Sequence, residues 1–129
     1  MPAWEWVLDS VVLALHEAQL AEHGGGVGLR DEGLLLSALA RPKNLLAYGS
    51  NVDAASLAGA YAYGIARNHA FIDGNKRTAF VTMELFLDLN GWALNVDDAS
   101  ATATIDAVAA GSLAEADLAA WLRTHLARN

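Results

Sequence analysis

Alanine and leucine dominate this chain, with 27 Ala and 20 Leu among 129 residues against 2 Pro. Ala and Leu head the helix-propensity scale and Pro sits last, so an all-α domain is expected. A chain of this length fits one compact domain over residues 1–129 that buries a genuine core. The absence of Cys excludes a disulfide scaffold, a thiolate metal site and a thiol nucleophile. The longest stretch free of acidic and basic side chains, Ala54 to Ala66, spans 13 residues, where a bilayer needs about 20. No charged and then apolar leader opens the chain, so a cytoplasmic location is expected. Fifteen acidic against eight basic side chains, a net charge of −7 and a pI near 4.8 argue against general attraction to nucleic acid or anionic membranes.

Periodicity and punctuation predict about six helices. The first runs from about Trp4 to Glu22, with Trp4, Val7, Leu8, Val11 and Leu15 at three- and four-residue steps, and ends at Gly24, Gly25 and Gly26. Asp31 caps a second over Glu32 to Ala40, stopped at Arg41 because Pro42 disfavours helical geometry in the residue before it. Lys43 to Val52 reads as a loop. Asp53 caps a third helix through Asn68. A fourth, about Asn75 to Asn90, is closed by Gly91; it is apolar nearly all round and is the expected central, buried helix, with Glu84 and Asp88 as its exposed edge. Trp92 to Val96 reads as a short extended link. Asp97 or Asp98 starts a fifth helix that Gly111 ends, and Ser112 with Glu115 suggests a capping box for a sixth carrying Leu118, Trp121, Leu122 and Leu126.

Chemistry concentrates between Arg67 and Thr78. Three of the chain's basic residues fall there against one acid, a local +2 inside a chain at −7. Lys76 and Arg77 sit in the first turn of the fourth helix, where partial positive charge disfavours cations by about 0.3–1 kcal/mol each. A bound phosphate compensates such a placement, accepting from free backbone N–H groups while the side chains close over it. Gly74, just before the turn, permits close approach of the backbone. His69 can fold back over the same spot, and near neutral pH an imidazole can take a proton from a hydroxyl. Asp73 is the local carboxylate for a hard Mg²⁺, which normally takes one or two protein carboxylates plus water. Asn75 can donate through its side-chain amide, and Arg67 can either reach a phosphate or form a surface salt bridge.

The run His69-Ala70-Phe71-Ile72-Asp73-Gly74-Asn75-Lys76-Arg77-Thr78 closely resembles the signature of the Fic/Doc superfamily. Within it the chain looks like the Doc (death-on-curing) toxin branch, because Lys76 stands where AMP-transferring Fic enzymes carry a second glycine. Leu15-His16-Glu17, Gly24-Gly25, Gly28-Leu29-Arg30-Asp31, Leu34-Leu35, Ser37-Ala38, Arg41-Pro42, Phe86-Leu87 and Asn90-Gly91 extend the resemblance over roughly residues 13 to 92. It implies an all-α Fic/Doc-type bundle and a toxin of a bacterial toxin–antitoxin pair, a kinase that moves the γ-phosphate of ATP to a threonine of elongation factor Tu. By the same resemblance His69 is the general base, Asp73 the Mg²⁺ ligand, and Gly74, Asn75, Lys76 and Arg77 hold the nucleotide phosphates. The resemblance also implies that Phe71 anchors the loop in the core. A side chain at Lys76 occupies room that glycine leaves for the outer phosphates in AMP transferases, and the resemblance to the Doc branch implies a reversed ATP that presents its γ-phosphate. Gly74 departs from the Doc prototype, which has Ala there, and leans toward the Fic consensus. The self-inhibitory pattern of related Fic proteins is absent, since Ser112 is followed four residues later by Ala116, so inhibition is expected from a Phd-like antitoxin. Two further readings stand beside the kinase: a Fic-type AMP transferase, and a non-catalytic protein that binds an antitoxin and co-represses transcription.

Each residue also has a structural alternative. His69 alone fits a hydrogen-bonded structural histidine, Asp73 can pair with Lys76 or Arg77 or cap the helix, and Lys76 and Arg77 can be a solvated face. His16-Glu17 does not start a zinc-protease helix, because position 20 is Leu. Gly74-Asn75-Lys76 lacks the earlier glycine and the Lys-Ser/Thr order of a Walker loop. The glycines at 24 to 26 read as a turn and Trp4 and Trp6 as packing or interface residues, and the placement of the Lys43 to Val52 segment between helices is compatible with the flap that aligns target peptides in relatives.

Overall fold

The computed structural model describes residues 3–129. Its elements are α1 (Asp9–His23), α2 (Glu32–Tyr48), α3 (Ala54–Asn68), α4 (Asn75–Leu89), β1 (Trp92–Leu94), α5 (Asp98–Ala110), α6 (Glu115–His125) and β2 (Leu126–Arg128). The expected all-α bundle of six helices is what forms.

Helix α3 lies deepest. Its small residues allow neighbouring backbones to approach: a Cβ on Gly59 would lie 3.6 Å from Ala119 of α6, and one on Gly64 would lie 3.0 Å from Ala38 of α2. Helices α2, α4, α5 and α6 all pack around it. Helix α4 shares the centre, burying Thr78, Ala79, Thr82, Met83, Phe86 and Leu87, while Glu84 and Asp88 face solvent as expected. Asp53 caps α3 through the Ser56 N–H at 2.9 Å, Asp31 caps α2 through Leu34 N–H at 3.0 Å, and Asp97 caps α5 through Ser100 N–H.

Four sequence expectations are corrected. Helix α1 starts at Asp9, because Trp4 and Trp6 belong to an extended lead-in that lays both indoles against Phe86, at ring-centroid distances of 6.0 and 5.9 Å. An extended chain places i and i+2 side chains on one side, which a helix does not. Asn90 satisfies the Glu5 backbone, accepting its N–H and donating to its carbonyl. Helix α2 runs through Pro42 to Tyr48. A proline inside a helix costs about 3 kcal/mol, offset here by burial of Leu35, Ala38, Leu39 and Pro42 and by Arg41, which pairs with Glu115 and lies over the Tyr63 ring.

The capping box does not form. The Ser112 hydroxyl donates to the Ala107 carbonyl, and the bonds Ser112 N–H to Ala107 and Gly111 N–H to Val108 make a Schellman end for α5. The N-cap of α6 is Ala114. Finally, Leu126 is not helical: Leu126–Arg128 pairs antiparallel with Trp92–Leu94, in the register Trp92 to Arg128, so the extended link after α4 has a partner.

Candidate active site

The segment between α3 and α4 is held by its own side chains and by two neighbouring stretches. Asn75 closes it, with Phe71 N–H donating to Asn75 Oδ1 and Asn75 Nδ2 donating to the Phe71 carbonyl, both at 3.0 Å. Phe71 is 2% exposed and anchors the loop in the core as expected. From α1, the buried His16 ring stacks on Phe71, with centroids 3.7 Å apart and planes 10° from parallel, and its Nε2 lies 2.8 Å from the Asp73 carbonyl oxygen. From the segment before α2, Arg30 and Asp31 N–H groups donate to the Ala70 carbonyl, and Ile72 N–H donates to Gly28.

His69 is the C-cap of α3, in the left-handed region at φ 50°. Such a backbone is uncommon for a non-glycine residue and needs support. Arg30 supplies it, its Nε donating to the His69 carbonyl at 2.8 Å and its Nη2 to the Asn68 carbonyl at 3.2 Å. The His69 ring is exposed and lines a cleft of about 830 Å³. Gln19 and His23 of α1, Asp98, Thr102 and Asp106 of α5, and Phe80 and Val81 of α4 line the same cleft. Opening into it is the N-terminus of α4, whose N-cap is Gly74 at φ 80° and which no side chain caps. The first N–H groups of a helix have no intrahelical partner, so this end offers donors and partial positive charge to an anion.

Asp73, Gly74, Asn75, Lys76 and Arg77 all line the cleft with His69, so most of the residues singled out in the sequence converge. Asp73 takes neither structural alternative. Its Oδ1 accepts from Gly74 N–H at 2.9 Å and its Oδ2 from Gly26 N–H at 3.3 Å, which leaves lone pairs on both oxygens. A Mg²⁺ fits there only with oxygens from elsewhere, since among the described residues no three acidic or histidine side chains cluster as a ready-made metal site. Lys76 spans to α5, Nζ 2.9 Å from Asp106 Oδ1, with both side chains half-exposed. Exposed pairs of this kind contribute at most about 1 kcal/mol, so a phosphate can displace Asp106.

Two expectations change. The Asn75 amide is committed to Phe71 through both its oxygen and its nitrogen, so its side chain shapes the loop. Arg67 does not line the cleft: its Nη1 donates to the Ala109 carbonyl at 3.3 Å and rests against Gly111, at the C-terminal end of α5 where a cation is favoured. Among the described residues it forms no salt bridge.

Sequence reasoning missed the supports. His16 carried the signal of a polar residue one turn after the buried Val12, on the inner face of α1. The glycine run is more than a turn. A Cβ on Gly25 would lie 2.8 Å from Asp73 Oδ2, and one on Gly26 would lie 2.8 Å from Ile72 Cγ2, so both glycines are what lets the loop lie down.

An uncapped helix N-terminus, two cationic side chains, an exposed histidine and a carboxylate thus line one cleft. The Fic/DOC family model matches residues 6–87, and the chain belongs to that family. Its relatives place it in the Doc branch. It is 33% identical over 112 residues to "Protein kinase doc" of Escherichia phage P1, covering 87% of this chain and 88% of that protein. It is 46% identical over 78 residues to "Toxin Doc" of Mycolicibacterium smegmatis, covering 57% and 58%.

Proposed function

We propose that this Doc-type toxin is a protein kinase that transfers the γ-phosphate of ATP to a threonine hydroxyl of elongation factor Tu. The observation that carries the reading is the exposed His69 at the mouth of the uncapped α4 N-terminus, with Lys76 in the first turn. The nucleotide phosphates lie against the N–H groups of Asn75, Lys76 and Arg77 and against the cationic side chains of Lys76 and Arg77. Asp73 would hold Mg²⁺, which would supply charge neutralisation on the phosphates when bound. His69 takes the proton of the acceptor hydroxyl as its oxygen bonds to the γ-phosphorus; the bond from that phosphorus to the bridging oxygen breaks and ADP leaves. Arg30 keeps the histidine at the left-handed end of α3 through this step.

Control falls to a Phd-like antitoxin, whose basic segments would suit the net charge of −7. Among the described residues no helix is long and apolar enough to cross a membrane; a cytoplasmic site of action follows from the translation target. AMP transfer is the second reading, favoured by Gly74. Incubating the protein with elongation factor Tu and ATP and mapping the modified peptide decides the acceptor. Phosphothreonine is expected. An AMP adduct establishes the second reading, and an unmodified factor overturns the target.

A further inference from the structure

The geometry points to His16 as the positioning residue that fixes the orientation of the peptide bond between Asp73 and Gly74, and through it the anion-binding end of α4. This deepens the kinase reading and rests on it for the chemistry, though not for the geometry.

A carbonyl oxygen only accepts, so at 2.8 Å the proton lies on His16 Nε2 and is donated to Asp73. His16 is 4% exposed, and its stack on Phe71 prevents the ring from turning away. In a trans peptide the C=O and the next N–H point in opposite directions. With the Asp73 carbonyl drawn down onto His16, the Gly74 N–H therefore points up and away from it, where it holds Asp73 Oδ1 at 2.9 Å. One donor in the core thus sets both the peptide plane and the carboxylate assigned to Mg²⁺.

The need for such a device follows from Gly74. Reversing this peptide changes ψ of Asp73 and φ of Gly74 together, and glycine accepts either sign of φ at little cost. Its present φ of 80° is not enforced by its own side chain. In the reversed state the Asp73 carbonyl would face the phosphate site, presenting a negative end to an anion, and the carboxylate would lose its nearest donor. The glycine that admits the phosphate is also the hinge that could spoil the site, and His16 locks it.

The test uses two variants and one measurement on the unaltered protein. His16→Phe keeps a ring to stack on Phe71 and removes the donor; His16→Gln keeps a donor and removes the ring. With folding checked by thermal unfolding, His16→Phe should lower Mg²⁺-ATP affinity and kcat for phosphoryl transfer by about tenfold, the scale of lost outer-shell support, and His16→Gln should recover most of it. A folded His16→Phe with unchanged affinity and kcat overturns the proposal, as does a folded His16→Gln no better than His16→Phe. In the unaltered protein, ¹⁵N NMR of the imidazole should show the proton on Nε2 bonded to a carbonyl; a proton confined to Nδ1 overturns the proposal even if neither variant folds. Should the protein transfer no γ-phosphate at all, the nucleotide-affinity and NMR readings still decide the role of His16.

Discussion

Asn75 separates two accounts of the motif, because a phosphate ligand and a loop clasp fail differently when removed. Its amide makes two 3.0 Å bonds to the backbone of Phe71, a residue whose side chain is in the core. Asn75→Ala leaves that N–H and that carbonyl without partners in a part-buried setting. Each lost bond of this kind costs about 1–1.5 kcal/mol, so the substitution should destabilise by about 2–3 kcal/mol. For a chain of this size that lowers Tm by roughly 7–11 °C. Asn75→Asp retains the acceptor for Phe71 N–H and loses the donor, so it should fall between Asn75→Ala and the unaltered protein. The assay is thermal and urea unfolding without nucleotide, where a ligand role contributes nothing. A Tm within about 1 °C of the unaltered protein, together with weakened ATP binding, would refute the clasp and restore the direct phosphate role.

Three further outcomes follow from the same geometry. Arg67→Ala should leave Mg²⁺-ATP affinity within twofold of the unaltered protein by titration calorimetry and lower stability by about 0.5–1 kcal/mol through the lost helix-end cation; a tenfold loss of affinity would return Arg67 to the phosphate site. Gly111→Ala should destabilise by about 1–2 kcal/mol, since Gly111 sits at φ 83° and a Cβ there would lie 2.7 Å from Arg67 Nη1; urea unfolding with no change in midpoint would contradict this. The Arg123 guanidinium bonded to Asp53, with the Ser56 N–H and hydroxyl beside it, holds the Asp53 carboxyl well below the usual carboxylate range. A lowered folded-state pKa gives stability that is present above the unfolded value of about 3.9 and lost as pH falls below it. Asp53→Asn, which keeps the cap, should therefore be less stable at pH 7 by about 0.5–1 kcal/mol, and the gap should shrink in urea titrations below about pH 4; a gap constant with pH would refute the ion pair.

The helical class and the converging cleft were legible because they rest on local chemistry. Ala and Leu set propensity, Asp31, Asp53 and Asp97 announce helix starts, and the run from His69 to Arg77 is contiguous. What escaped depends on distant partners. Pro42 stays helical only because α3 packs closely on α2, Trp4 and Trp6 stay extended only because Phe86 waits across the core, and Leu126 leaves the helix to pair with Leu94. Within the site the same division holds. The sequence displays the residues that line the cleft, whereas His16, Arg30, Gly25 and Asp106 act across 30 or more positions and show nothing of it locally. Asn75 misled because a side-chain amide beside two cationic residues reads as a ligand donor, while its partners in the structure lie four residues back.

The central claim is that His69 and the α4 N-terminus transfer the outer phosphate of ATP to a protein hydroxyl. Elongation factor Tu incubated with ATP labelled at either the γ or the α position, using the unaltered protein and His69→Ala in parallel, tests it most directly. γ-Label on the factor is expected with the unaltered protein and none with His69→Ala. Incorporation of α-label, or γ-label that persists without His69, would contradict it.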